Sequence, residues 1–139
     1  MNIDSIRNGY VLDHIKAGAS MEIYRLLGLD KLDCSVAIIK NAKSTKLGRK
    51  DIIKIDALID LDLDVLGYVD PDITVSIIRD GVQVEKKHPQ LPQKLVNVLR
   101  CKNPRCITTV EPHLPAEFVL SDPDKRTYRC AYCDSEYHR

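Results

Sequence analysis

Cys101-Lys102-Asn103-Pro104-Arg105-Cys106 is one of two close cysteine pairs near the carboxy terminus, and the other is Cys130-Ala131-Tyr132-Cys133. Each pair is short enough to place two thiolates on one side of a metal ion, and the 23 residues between the pairs can form a small antiparallel sheet that brings the pairs together. This spacing is typical of a tetrahedral Cys₄ zinc site. We therefore predict a small β domain in which four cysteines hold one Zn²⁺ in a rubredoxin-like site: Cys101, Cys106, Cys130 and Cys133.

The composition is that of an ordinary soluble globular protein, with 44% apolar and 29% charged residues. Lysine and arginine number 21 against 20 acidic residues, so there is no general basic excess of the kind that nucleic-acid binders carry. Nowhere does the sequence contain the ~18 consecutive apolar residues of a membrane span. Charges interrupt every apolar run near residue 1, so no signal peptide is predicted and we expect a cytoplasmic protein.

Two other uses of the four cysteines are chemically possible. Two disulfides would require an oxidising compartment, which the missing signal-peptide pattern disfavours. Iron can also occupy a rubredoxin-like S₄ site. Zinc is favoured over both, and because four sulfurs fill its coordination shell we expect a structural ion with no open position for a substrate.

The segment His88-Pro89-Gln90-Leu91-Pro92 marks the predicted domain boundary, because its two prolines favour an extended connection. We predict one domain over residues 1–92, with a charge of about −1, and a second over residues 93–139, with about +2. The second domain offers few apolar side chains for a core: Val110, Leu114, Phe118, Val119, Leu120 and Tyr128. It therefore needs a stabilising metal.

Alternation and turn signals predict the elements of the first domain. Strands are expected over 10–15, 34–39, 52–55, 73–78 and 82–86, with a helix from Ser20 to Gly28 and a polar loop over 40–50. Residues 57–69 fit a strand or a helix, and periodicity leaves them undecided. If they are helical, the order becomes βαββαβ plus one strand, which is a ferredoxin-like α+β fold, an antiparallel sheet with two helices on one face. Residues 94–98 suggest a short helical turn.

Three motifs in this order carry a family resemblance: Tyr10-Val11-Leu12-Asp13-His14-Ile15, Gly48-Arg49-Lys50-Asp51-Ile52-Ile53-Lys54-Ile55 and Cys101-Lys102-Asn103-Pro104-Arg105-Cys106-Ile107. Over nearly the whole chain the sequence resembles the regulatory chain of aspartate carbamoyltransferase. The resemblance implies a non-catalytic regulatory subunit of pyrimidine biosynthesis. It implies an amino-terminal allosteric domain that binds CTP or ATP and pairs with its copy, and a zinc domain that docks on the catalytic chain.

The same resemblance implies a nucleotide site in the first domain. Ile6 and Ile78 would line the base pocket, Asp13 and Lys54 would face the ribose, and His14 and Lys86 would approach the phosphates. Lysine suits this last role because it is a flexible point charge. Asp13 and His14 are neighbours on a predicted strand, so alternation predicts that their side chains point to opposite faces.

The alternative interpretation is a nucleic-acid-binding zinc ribbon, since cysteine pairs near Arg105, Lys125, Arg126 and Arg129 occur in such modules. The weak net charge of the second domain, the single Phe and the lack of Trp for base stacking argue against it. A free-standing enzyme is disfavoured because no phosphate loop, G-x-S-x-G or H-E-x-x-H motif is present. We expect neither a nucleic-acid partner nor catalysis by this chain alone.

Overall fold

The structure, a computed structural model, describes residues 6–138. The chain divides into two compact units, Met1–Gln90 (unit 1) and Leu91–Arg139 (unit 2). Unit 1 contains, in chain order, β1 (Gly9–Lys16), α1 (Ser20–Leu26), a 3₁₀ turn (Leu29–Lys31), β2 (Val36–Ser44), β3 (Gly48–Ile55), α2 (Leu63–Val69), β4 (Thr74–Arg79) and β5 (Val82–Lys87). Within the described residues, every helix is too short or too polar to cross a bilayer.

The five strands of unit 1 form one antiparallel sheet in the order β2-β3-β1-β4-β5. The connections β1-α1-β2 and β3-α2-β4 interleave, which is the ferredoxin-like arrangement with β5 added at one edge. The predicted α+β class is confirmed. The segment that periodicity left undecided is helical only from Leu63, where the Asp62 side chain caps the helix by accepting from the N–H groups of Asp64 and Val65.

The core of unit 1 lies between the helices and one face of the sheet. Cross-strand partners share a face, so the pairing of Leu12 with both Ile53 and Val75 identifies a row of side chains that are all fully buried. Helix α1 packs on this face, which we call the helix face, through Ile23. The opposite face, which we call the open face, carries half-exposed side chains such as Val11 and Ile52.

A buried carboxylate, that of Asp51, joins three parts of unit 1. One Asp51 oxygen accepts from the Ser20 hydroxyl at 2.6 Å and from the Gly18 N–H at 3.1 Å, and the other accepts from the Asn41 N–H at 3.0 Å. Burial raises the pKa of Asp51, but these donors outweigh it, so the pKa is lowered overall. The side chain thus stays ionised. It holds both the β1-α1 turn and strand β2 against strand β3.

The β2-β3 hairpin is longer than predicted. Most of the expected polar loop over 40–50 is strand, since pairing continues from Val36 with Ile55 to Ser44 with Gly48. A bulge after Ile39 places Asn41 at a φ of 59°, where the Asp51 carboxylate holds its N–H. The bulge breaks the alternation of apolar residues that would have identified a continuous strand.

Unit 2 is a four-stranded antiparallel sheet with a short helix. Its elements are β6 (Lys94–Val96), α3 (Ile107–Val110), β7 (Glu117–Asp122), β8 (Thr127–Cys130) and β9 (Glu136–His138), with strand order β6-β7-β8-β9. Leu95, Phe118 and Tyr128 are its largest buried side chains. The Tyr128 hydroxyl donates to the carbonyl of Pro92 at 2.7 Å, which ties the start of the unit to its core.

Two expectations for this unit are wrong. Residues 94–96 form strand β6, not a helical turn, because Leu95 enters the core between two exposed neighbours, which is the two-residue period of a strand. Val110 and Val119 lie outside the core, 62% and 45% exposed. The core is therefore even smaller than the sequence suggests.

We predict that Asp51→Asn lowers the free energy of unfolding of the chain by about 3 kcal/mol at pH 7. The amide nitrogen of asparagine would face the N–H groups that now donate to the carboxylate, so buried donors would lose their acceptor. Urea unfolding followed by circular dichroism measures the change. Asp60→Asn, at an exposed carboxylate, is the control and should change stability little.

The effect should depend on pH. Because the folded pKa of Asp51 is below its ordinary value, the carboxylate contributes its full stabilisation above the unfolded pKa of about 4. That contribution is lost as the pH falls through the folded pKa. The difference in unfolding free energy between wild type and Asp51→Asn should therefore be constant from pH 7 to 5 and shrink below pH 4. A difference that stayed constant down to pH 3 would contradict an ionised Asp51.

Candidate functional site

The four paired cysteines meet in one cluster, with their sulfur atoms all within 4.8 Å of one another. Sγ of Cys101 is 3.6 Å from that of Cys133, and Sγ of Cys106 is 3.7 Å from that of Cys130. These separations far exceed the ~2 Å of a disulfide and match the ~3.8 Å between sulfurs of a regular tetrahedron around zinc. Each of the two contacts joins one cysteine of the first pair to one of the second.

Local chain geometry presents the sulfurs to a common centre. Cys101 and Cys106 flank the turn before α3, Cys130 ends β8, and Cys133 lies in the turn to β9. Backbone N–H groups two residues further on donate to each sulfur: Asn103 to Cys101, Thr108 to Cys106, Tyr132 to Cys130 and Ser135 to Cys133. Such donors stabilise thiolates, so the cluster fits a metal with sulfur preference.

The four thiols differ in acidity. The Ser135 hydroxyl lowers the pKa of Cys133 to about 6, and the Thr108 hydroxyl lowers the pKa of Cys106. Burial raises the pKa of Cys101, and it raises that of Cys130 to about 12. Because a metal binds thiolates, an ion that binds all four sulfurs releases the protons that the thiols still carry.

The second candidate site is the open face of unit 1. Register places Lys54 opposite Val11, Val11 opposite Ser76, and Ser76 opposite Lys86, so these four side chains form one row across strands β3, β1, β4 and β5. Among the described residues, neither lysine of this row has a carboxylate within ion-pair distance. The backbones of Lys54 and Lys86 are about 14 Å apart, which is three strand spacings.

Asp13 and His14 lie to one side of this row, further along strand β1. A bulge between Leu12 and Ile15 places His14 at a φ of 57°, and its N–H donates to Asp13 Oδ1 at 2.6 Å. The His14 ring Nδ1 is 3.0 Å from Thr74 Oγ1, and Thr74 is the cross-strand partner of Asp13. The expected opposite orientation is therefore wrong here, because alternation fails at a bulge and both side chains lie beside Thr74.

Ile78 lies on the other side of the row, opposite Gly9. Ile6 is 8% exposed, and the next residue, Arg7, accepts from the Gly81 N–H at 2.8 Å in the turn that follows Ile78. A Cβ at position 9 would lie 1.9 Å from the carbonyl oxygen of Ile55, so only glycine allows this approach of β1 to β3. The open face thus has an apolar end and a polar end.

Sequence reasoning missed Lys50 as part of this face. Its Nζ lies 3.0 Å from Asp13 Oδ1, and both side chains are largely buried. Burial raises the pKa of Asp13, but the hydrogen bonds from Lys50 and the His14 N–H outweigh it and leave the pKa lowered. The alternation in the sequence of β3 could have identified it, because Lys50, Ile52 and Lys54 alternate with buried residues and so belong to one face.

Comparison with known proteins assigns both units to domains of the same protein family. Residues 1–90 match the family described as the allosteric domain of the aspartate carbamoyltransferase regulatory chain, and residues 93–139 match its metal-binding domain.

Curated relatives carry the same description along their whole length. Proteins named aspartate carbamoyltransferase regulatory chain from Clostridium botulinum and Clostridium tetani are each 49% identical to this chain, covering 99% of it and 94% and 96% of themselves. One from Bifidobacterium longum is 46% identical and covers 98% of both chains. These names designate the regulatory and not the catalytic chain. The two family matches and the near full-length identity together show that this protein belongs to the family of aspartate carbamoyltransferase regulatory chains.

Proposed function

We propose that residues 1–92 form an allosteric domain that binds CTP- and ATP-type nucleotides on the open face of its sheet. The observation that carries this proposal is the row in which Lys54 and Lys86 lie on one face without carboxylate partners among the described residues. Uncompensated cations on a shared surface attract a polyphosphate, and lysine side chains are long enough to adjust to it.

The apolar and polar ends of the open face suit the two ends of a nucleotide. Ile78 and Ile6, at the apolar end, line the base pocket. Asp13 accepts hydrogen bonds from ribose hydroxyls near Lys54, since a carboxylate retains free lone pairs when it already pairs with Lys50. His14 and Lys86 approach the phosphates.

We further propose that the metal of residues 93–139 is one structural Zn²⁺ held by Cys101, Cys106, Cys130 and Cys133. The donor set and the sulfur separations support zinc, and a four-sulfur shell leaves no position for a reacting molecule. When bound, the ion supplies cross-linking energy that the small core of unit 2 lacks. The zinc domain contacts the catalytic chain of aspartate carbamoyltransferase.

The proposed regulation is a population shift in a cytoplasmic complex. Regulatory chains pair through their allosteric domains, and their zinc domains hold catalytic chains, which perform carbamoyl transfer to aspartate in pyrimidine biosynthesis. A nucleotide that binds the low- and high-activity forms of the complex unequally changes their ratio by its difference in affinity. This chain senses nucleotides and takes no part in the chemistry.

Calorimetric titration of the purified chain with CTP and ATP tests the nucleotide site. Lys86→Ala should weaken binding by about tenfold to a hundredfold, because a charge-assisted hydrogen bond contributes about 1.5–3 kcal/mol. Lys87→Ala is the matched control. Lys87 is next to Lys86 in β5 and pairs with Val75 of β4, so its side chain lies on the helix face and the affinity for nucleotide should not change. Equal losses in both variants would indicate unspecific attraction, and no binding by the wild type would refute the site.

Metal analysis tests the zinc site. The chain should bind one zinc per molecule, and Cys106→Ser should lose the ion, unfold unit 2 and abolish association with the catalytic chain. Cys34→Ser is the control, since Cys34 is a half-buried cysteine outside the cluster, two residues before β2. Association with the catalytic chain that survived metal loss would contradict the proposed role of zinc.

A further inference from the structure

Three side-chain hydroxyls of unit 2 form hydrogen bonds with sulfurs of the cysteine cluster. Thr108 Oγ1 lies 3.1 Å from Cys106 Sγ, and Ser135 Oγ lies 3.1 Å from Cys133 Sγ. The Tyr137 hydroxyl, which accepts from the N–H of Lys102 beside Cys101, forms a hydrogen bond with the Cys101 thiol. A thiolate has no hydrogen to donate, so in the metal-bound state each hydroxyl must be the donor. These contacts come in addition to the backbone N–H donors.

A metal site of this kind has an unfavourable charge. Four thiolates around one divalent cation leave a net charge of about −2. Cys106 and Cys130 are 2% and 1% exposed, so water cannot solvate that charge on the inner side of the cluster. The stabilisation must come from hydrogen-bond donors of the protein.

Asn103 extends the same layer of donors across the two cysteine pairs. Its backbone N–H donates to Cys101 of the first pair, and its side-chain amide donates to Cys133 of the second. The amide oxygen is occupied by the N–H of Arg105 at 3.1 Å, which fixes the orientation of the NH₂ group. Donors to the sulfurs therefore connect the two halves of the site.

We propose that Thr108, Ser135 and Tyr137 are positioning residues of the metal site, whose hydroxyls hold three of the four thiolates in place and slow the release of the ion. This inference rests on the zinc site proposed above. The backbone donors follow from the turn geometry alone, whereas these hydroxyls depend on side-chain identity. Side chains beyond the four ligands therefore set how long the metal remains bound.

The three hydroxyls differ in how firmly they are held. Thr108 is 6% exposed, so water cannot replace its hydroxyl. The Tyr137 ring packs edge-to-face on Phe118 at 4.9 Å, and its oxygen also accepts from the Lys102 N–H, which fixes the hydroxyl. Ser135 is partly exposed, and water can substitute for it. Loss of the Thr108 hydroxyl should therefore have the largest effect and loss of the Ser135 hydroxyl the smallest.

Zinc release from the full chain to a chromophoric chelator measures this effect. Thr108→Val should release zinc about tenfold faster or more, Tyr137→Phe by a comparable factor, and Ser135→Ala less. Thr127→Val is the matched control: Thr127 is a buried threonine of the same unit whose hydroxyl bonds His138 Nδ1 at 2.9 Å, away from sulfur. Its zinc should leave at the wild-type rate.

Cobalt substitution gives a readout that a general loss of stability does not change. Removing a donor makes the thiolate more electron-rich, so the sulfur-to-Co²⁺ charge-transfer band should move to lower energy in Thr108→Val and not in Thr127→Val. Wild-type release rates and an unshifted band in all three variants would overturn the inference. So would equally fast release from Thr127→Val. Failure of the wild type to bind zinc would instead refute the proposed metal site itself.

Discussion

Strand β1 is hydrogen-bonded on both sides, and this constraint organises the whole of unit 1. A strand between two neighbours cannot shift its register by one residue without sending every side chain to the other face. Leu12 therefore enters the core, and Val11 is left in the row between Lys54 and Ser76. The separation of a packed helix face from a charged open face follows from this one register.

Two of the bulges in unit 1 show how the sheet departs from strict alternation near the polar end of the open face. Both flank β3 at the level of Asp51, one in β1 after Leu12 and one in β2 after Ile39. Non-glycine residues with positive φ occupy them, His14 and Asn41, a backbone conformation that costs about 1 kcal/mol or more. The buried Asp51 carboxylate offsets part of this cost by binding the Asn41 N–H. The core of unit 1 and the geometry of its open face thus depend on the same residue.

Local patterns in the sequence predicted much of this architecture, and non-local contacts explain the errors. Cysteine spacing predicted that the four cysteines would cluster, because short loops constrain each pair. Alternation identified β1 and β4 because their neighbours bury them evenly. The bulge at Asn41 disguised the hairpin, and residues 94–98 were too few for a period to show. Lys50 was overlooked because its importance arises from Asp13, 37 residues away in sequence.

The two units obtain their stability in different ways, and this difference bears on regulation. Unit 1 has its own apolar core on the helix face, so a nucleotide that binds at the proposed site would add binding energy to a structure that is already folded. Unit 2 buries few large side chains, so the proposed metal would couple its binding to the folding of the unit. A ligand present at 100 times its dissociation constant stabilises the folded state by about 2.7 kcal/mol. The rate of metal release would then matter as well as the affinity. If the ion leaves more slowly than the complex changes between its two states, unit 2 stays folded throughout the change. The proposed hydrogen bonds from hydroxyls to the sulfurs would serve that requirement, while the open face would remain free to respond to a nucleotide.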